Sequence, residues 1–333
     1  MNMIPLRRFL LSLLLAFGAV RCSSAHAEEV NLRERAVHLM EVANAVSLAG
    51  GLGNYGQAVT FRVHEPDGSV REGMFTRISS GVTGRRDEFT FGDFHQSVIV
   101  SGDHIADTRT AQVLPPEIRQ VRKYLPIALG VFDEEDVIRS IEPGEVAGRA
   151  AKCINFDTHF GSTLQANQIC VDAETGTLLR WQVGDELVEN SEFFKVGKLW
   201  EPAHIRRFER GALQMEIDQQ IVALEGAVDA SLFAPPARGW DKTFDCSIRR
   251  RPIRIYAPMP PAGKNGNDVI DVVVHVSVLV DGTVGHVQIE SSPRPDLNEE
   301  ALRITSTWKF QPFLCNQRPT SSEGDEVVHF QGR

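Results

Sequence analysis

The residues of this 333-residue chain that could do chemistry are its cysteines, its histidines, one glycine run and two acidic clusters. Of five cysteines, Cys22 falls in an amino-terminal leader, which leaves Cys153, Cys170, Cys246 and Cys315. An even number in an exported chain points to disulfides, and two local pairs, Cys153 with Cys170 and Cys246 with Cys315, are the economical solution. A four-cysteine zinc site is the alternative; its ligands normally come in close Cys-x-x-Cys pairs, which this chain lacks. The nearest thing to a metal cluster is His95 and His104 flanking Asp103, on short predicted strands where two imidazoles need not face each other.

Other motifs fail on context. Gly51-Leu52-Gly53-Asn54-Tyr55-Gly56 has the spacing of a dinucleotide loop, but such a loop follows a strand and opens a helix, so that a pyrophosphate meets the helix amino terminus. Here a predicted helix comes first, and the glycines read as its stop and a turn. No G-x-S-x-G elbow and no H-E-x-x-H occurs. General acid catalysis would need a desolvated carboxyl, whereas the runs Asp133 to Asp136 and Glu299-Glu300 sit in polar surroundings that keep carboxylates ionised. The expectation is a protein that is not an enzyme and uses no cofactor and no metal.

Arg7-Arg8, the apolar run Phe9 to Val20 and the small-residue pattern Ala25-His26-Ala27 are the three parts of a secretory signal peptide, so residues 1–27 are expected to be removed. That run is too short to span a bilayer, and no other stretch is long and apolar enough. Losing Arg7, Arg8 and Arg21 moves the formal charge from −9 to −12, and an acidic exported chain is a poor nucleic-acid binder because binding needs a basic surface. The remaining length exceeds what one core usually holds, so two domains are expected in a periplasmic protein.

The elements that must position any site are mostly strands. Asn31 to Leu48 carries Leu32, Ala36, Leu39, Met40, Ala43 and Val46 at three- and four-residue intervals, which predicts one amphipathic helix. Gln57 to His64 and Val70 to Ile78 flank the turn Glu65-Pro66-Asp67-Gly68, and short strands follow at 88–94, 96–100 and 104–108. Pro115-Pro116 opens a second helix through Leu129. Strands then resume at 137–141, 149–158, 164–172, 178–182, 192–199, 204–208 and 214–223. So many hairpin-sized segments imply a large, curved antiparallel sheet, half-barrel in form, with packed helices. Near the end, Val269 to Val280 is mostly β-branched, Asp281-Gly282 breaks it, Thr283 to Ile289 pairs back, Asp296 to Lys309 has helical spacing and Glu326 to Gln331 is extended. The fold class is therefore α+β, with a small β-β-α-β unit behind the large sheet. Its divisions are a leader (1–27), a sheet domain (28–236), a linker (237–244) around Gly239-Trp240 and a final domain (245–333). His275 and His286 read as surface positions of the last hairpin.

The run Val272 to Val278, the turn Asp281-Gly282-Thr283-Val284, Ser291-Ser292, Leu297, Ala301-Leu302 and Trp308-Lys309-Phe310-Gln311-Pro312 resemble the carboxy-terminal domain of TonB-type proteins over about a quarter of the chain. The resemblance implies a periplasmic module that docks an outer-membrane or other envelope protein by adding a strand to a free sheet edge. Candidate docking residues are Arg254, Tyr256, Val327, Val328 and Phe330. Pro260 to Gly266 stands where that family has a short helix. The early helix, the segment Cys170 to Leu179 and the closing Asp229 to Pro236 resemble the LolA and LolB lipoprotein carriers. That likeness implies a lipid or acyl ligand on the concave face, with Phe61, Phe75, Phe89, Phe91 and Val98 as candidate lining.

Overall fold

A computed structural model describes residues 30–48, 51–81, 84–102, 104–111, 114–125, 132–160, 163–234, 249–250, 252–258, 260, 269–315 and 317–331. The expected leader and linker, Cys246, Asp103 and the side chains of His104 and Cys315 lie outside the described residues. No helix among the described residues is long and apolar enough to cross a membrane.

Hairpin follows hairpin through the first two thirds of the chain. The strands are β1 (Tyr55–His64), β2 (Val70–Ser80), β3 (Gly84–Phe91), β4 (Phe94–Ser101), β5 (His104–Arg109) and β6 (Val137–Val146). Then come β7 (Arg149–Phe160), β8 (Thr163–Asp172), β9 (Leu178–Val183), β10 (Glu186–Val196), β11 (Leu199–Glu209) and β12 (Ala212–Ala223). They form one twelve-stranded sheet in the order β5-β4-β3-β2-β1-β12-β11-β10-β9-β8-β7-β6, in which β1 and β12 join two meanders at the centre. Every pairing is antiparallel, and β5 and β6 remain edges, so the sheet is open rather than a closed barrel. The segment 192–199, read above as one strand, is divided by a turn: Gly197 takes φ +61°, and β10 and β11 pair on either side of it.

Two helices cover the sheet. Helix α1 (residues 30–46) buries Ala36, Met40 and Ala43, one face at i, i+4 and i+7, against Phe132, Ile138, Ile154, Phe156, Ile169 and Val171. Helix α2 (Pro116–Tyr124), opened by a proline that its first turn tolerates, buries Ile118 and Val121 over the other half. Beneath α2, Phe61 lies over Gly73, its register partner, where an added Cβ would meet the ring at 2.0 Å. Arg33 of α1 donates to the carbonyls of Phe132, Asp133 and Asp136, so part of the acidic run serves as a tether for the helix. Cys153 and Cys170, register partners on β7 and β8, form a disulfide, which matches the expected pairing.

The carboxy-terminal unit has β13 (Arg249–Arg250), β14 (Ile253–Tyr256), β15 (Val269–Val278), β16 (Val284–Ser291), α3 (Asn298–Thr305), β17 (Lys309–Gln311), β18 (Phe313–Cys315), β19 (Arg318–Thr320) and β20 (Ser322–Gln331). Its main sheet runs β16-β15-β20, and β14 pairs with β17. Val272, Val274, Val276 and Val278 point to one face and pack on Ala301, Ile304, Trp308 and Phe310. The Asp281-Gly282 turn is constrained from two sides. Gly282 takes φ +81°, and the Phe310 amide donates to its carbonyl at 2.8 Å, leaving no space for a side chain.

The opposite face of that sheet is polar and meets the first unit. Arg109 pairs with Glu323 at 3.0 Å, Arg119 and Lys123 both reach Glu290 at 3.3 Å, and Arg210 donates to the Ser292 carbonyl at 2.7 Å. Bases come from one unit and acids from the other. His275, expected at the surface, is only 5% exposed because this contact covers it, with Asp325 at 2.7 Å and Glu323 at 3.6 Å. Burial favours its neutral ring, but the two carboxylates outweigh burial and hold it above its ordinary range. His286 is exposed as expected.

Two outcomes are expected. A double-mutant cycle between Arg119→Ala and Glu290→Ala, read by urea denaturation, should return a coupling of about 1 kcal/mol, whereas additive losses would mean the pair contributes nothing. The double variant Cys153→Ala/Cys170→Ala should lose about 3 kcal/mol of stability in the same assay, through the freed loop in the unfolded chain.

Candidate functional site

Two helices do not cover the concave face of twelve strands, and the gap between α1 and α2 is a cavity of about 390 Å³. Met40, Ala43 and Val46 of α1 form one wall and Tyr124 of α2 another. The floor comes from β8 to β11: Ile169, Leu178, Trp181, Val188 and Ile205. Phe132 and Phe156 close the side nearest β6, where their rings meet edge to face. The lining is largely apolar, so the space favours an apolar occupant over water.

A few polar groups interrupt it. Glu201, on β11, is 4% exposed and accepts a hydrogen bond from the Leu48 amide just beyond α1. Burial pushes its carboxyl up to about 7, offset only in part by that hydrogen bond. Gln219, on β12, accepts from Gln57 at 2.8 Å and donates to the Pro202 carbonyl at 2.7 Å. Asn190 donates to the Leu178 carbonyl at 3.0 Å. At the α2 rim the Tyr124 hydroxyl bonds Glu186 and Arg207, and burial with the neighbouring carboxylate raises its pKa.

Phe61, Phe75, Phe89 and Phe91, the expected lining, are core beneath α2, with Phe61 stacked on Phe91 and Phe75 tilted against Phe89. Arg71 and Arg122 lie over Phe91 and Phe89 at 4.4 and 4.7 Å, sealing this half of the sheet further. Val98 is half-buried, and none of the five borders the cavity. The aromatics that border it besides Tyr124, namely Phe132, Phe156, Trp181, Phe193 and Trp200, lie on strands or in a loop with no distinguishing spacing. The burial of Glu201 depends on α1 reaching β11, about 150 residues away.

Of the metal trio, His95 is exposed on β4, and the other two side chains lie outside the described residues. Gly51, φ +87°, ends the turn after α1 and its amide bonds the Leu48 carbonyl, which accounts for the glycine run.

A second feature is the border of the small sheet. Strand β20 pairs with β15 on one side and stands last in the sheet order on the other. Val328 and Phe330 are buried towards α3 and Val327 is half-buried, so what this edge presents to a partner is backbone. Arg254 pairs with Glu326 of β20 at 3.3 Å and lies over Trp308. Tyr256 is 56% exposed, and beside it Ile253 and Ile255 are also exposed, two apolar residues that the sequence reading did not single out.

Residues 260–331 match the family model of the Gram-negative bacterial TonB protein C-terminal. No curated protein matches the chain by sequence. Among solved structures, it resembles an outer membrane lipoprotein-sorting protein domain from Vibrio parahaemolyticus (10% identity, 59% of this chain, 95% of that one, TM-score 0.40). A LolA superfamily protein from Nitrosomonas europaea is similar at 12% identity (59% of this chain, 96% of that one, TM-score 0.39). The MucA/MucB complex of Pseudomonas aeruginosa follows at 12% identity (74% and 82%, TM-score 0.29).

Glu201 makes stability depend on pH. Its folded pKa lies above the ordinary value of 4.5, so the folded state holds the extra proton and stability falls as pH rises from 4.5 to about 7. The shift corresponds to roughly 3 kcal/mol as an upper figure. Glu201→Gln keeps the acceptor for Leu48, so urea midpoints of this variant should vary less over that interval than those of the parent; equal pH profiles would refute the buried acid.

Proposed function

We propose that this is a non-catalytic periplasmic envelope protein: the large sheet carries an apolar ligand between α1 and α2, and the TonB-like module docks a protein partner by strand addition at β20. One observation carries the reading. The two helices leave an apolar, aromatic-walled space over β8 to β11, and the polar groups around it are mostly engaged with one another rather than converging on a reaction centre. The periplasmic setting is supported by the leader-like amino terminus and by the family match of residues 260–331. Docking at β20 is supported by the position of that strand at the sheet border.

A second reading, in which the module is structural and the ligand is the only function, is favoured by the charged contact that holds the module to the first unit.

Two measurements test these readings. Protein recovered from the periplasm should carry a lipid-sized mass by native mass spectrometry, and Ala43→Leu, which narrows the space, should lose most of it; a bare mass in both would overturn the carrier reading. A photo-crosslinker placed at exposed His329 on β20 should capture an outer-membrane protein in cells, while one at exposed His286 on β16, the opposite border, should not. Capture at neither position would leave the structural reading of the module.

A further inference from the structure

The carrier reading leaves the character of the ligand's polar end open, and the cavity lining bears on it. The amide and hydroxyl donors of the lining are already committed. The Gln219 amide donates to the Pro202 carbonyl, the Asn190 amide to the Leu178 carbonyl and the Ser47 hydroxyl to the Asn44 carbonyl. Beside the indole N–H groups of Trp181 and Trp200, what remains on the lining is acceptor capacity, in the Glu201 carboxyl and the Asn190 side-chain oxygen. Glu201 is the charged member. Among the described residues its one partner is the Leu48 amide, and no Lys, Arg or His pairs with it. The one lysine at the rim, Lys123, reaches Glu290 of the carboxy-terminal unit instead. A buried carboxylate without a cation is unfavourable, and a ligand that brings a cation with N–H donors relieves that cost.

We propose that the cavity binds a cationic amphiphile, its apolar chain against Trp181, Phe132 and Phe156 and its ammonium head on the Glu201 carboxylate. This rests on the carrier reading above. An anionic head would face Glu201 and Asp136, both on the lining, and is disfavoured for the same electrostatic reason that an ammonium is favoured.

The protonation of Glu201 then couples to binding. An ammonium needs the carboxylate, and the carboxyl titrates at about 7, so at pH 6 roughly nine tenths of the sites must first release a proton. Affinity for an alkylammonium should therefore rise about tenfold between pH 6 and pH 8. Affinity for a neutral chain should stay level.

The experiment is titration calorimetry on the mature full chain, stripped of lipid, with dodecylammonium, dodecanol and dodecanoate at both pH values. Dodecylammonium should bind at pH 8 at least tenfold more tightly than dodecanol or dodecanoate and lose about that factor at pH 6. In Glu201→Gln the ratio of dodecylammonium to dodecanol affinity should fall towards one and its pH response should vanish. Equal binding of dodecanol and dodecylammonium in the parent, tighter binding of dodecanoate, or a preference that survives in the variant would each overturn the proposal while leaving the carrier reading in place. Failure of all three probes to bind would overturn both.

Discussion

The structure depends on one mismatch of areas. A twelve-stranded antiparallel sheet with one buried face needs cover along its whole width, and among the described residues two α-helices and the short turn at Ala230–Phe233 supply it. α2 settles on the phenylalanine-rich half around β1 to β4, and α1 on the half around β7 to β9. Each makes a dense core where it lies. Between them, over β8 to β11, the sheet keeps an apolar floor that the two helices flank without filling, and the cavity is that remainder. Its chemistry follows from its origin, because floor residues belong to a hydrophobic sheet face, and Glu201 sits where the start of β11 meets the end of α1.

The second unit solves its burial problem differently. Its three-stranded sheet has one aliphatic face, closed by α3 with Trp308 and Phe310, and one charged face that would be solvated if the unit stood alone. That charged face is laid on α2 and β5, where arginines and a lysine await its glutamates. The contact is polar, of the kind that holds two domains in register without merging their cores. It leaves the outer border of β20 unpaired among the described residues, so the covering of the sheet's faces and the exposure of its border are compatible in one arrangement.

Much of this was legible from local rules. Alternation at Gln57, Val59 and Phe61 is the period of a half-buried strand, and Ala36, Met40 and Ala43 repeat with the period of a helix, so element types followed from side-chain spacing. Asp281-Gly282 marked a turn because glycine alone accepts its backbone. The hairpin between β10 and β11 was missed because Phe193 to Leu199 reads as continuous strand, and the break at Gly197-Lys198 is a turn signal of ordinary strength. The candidate lining falls outside the cavity for a plainer reason. Phe61, Phe75, Phe89 and Phe91 announce an apolar face, but a face under a helix and a face under open space have the same spacing.

What the sequence determined by itself is therefore most of the long elements, their antiparallel succession, the TonB-like character of the last quarter and the Cys153–Cys170 pairing, since each rests on residues near one another in the chain or on a strong local pattern. Only the tertiary structure decided where α1 and α2 come to rest, and with that the location of the cavity, the burial of Glu201 and the enclosure of His275. Those properties arise between residues on the order of 50 to 150 positions apart. Desolvation belongs to the packed whole, and no spacing along the chain encodes which side chain loses its water.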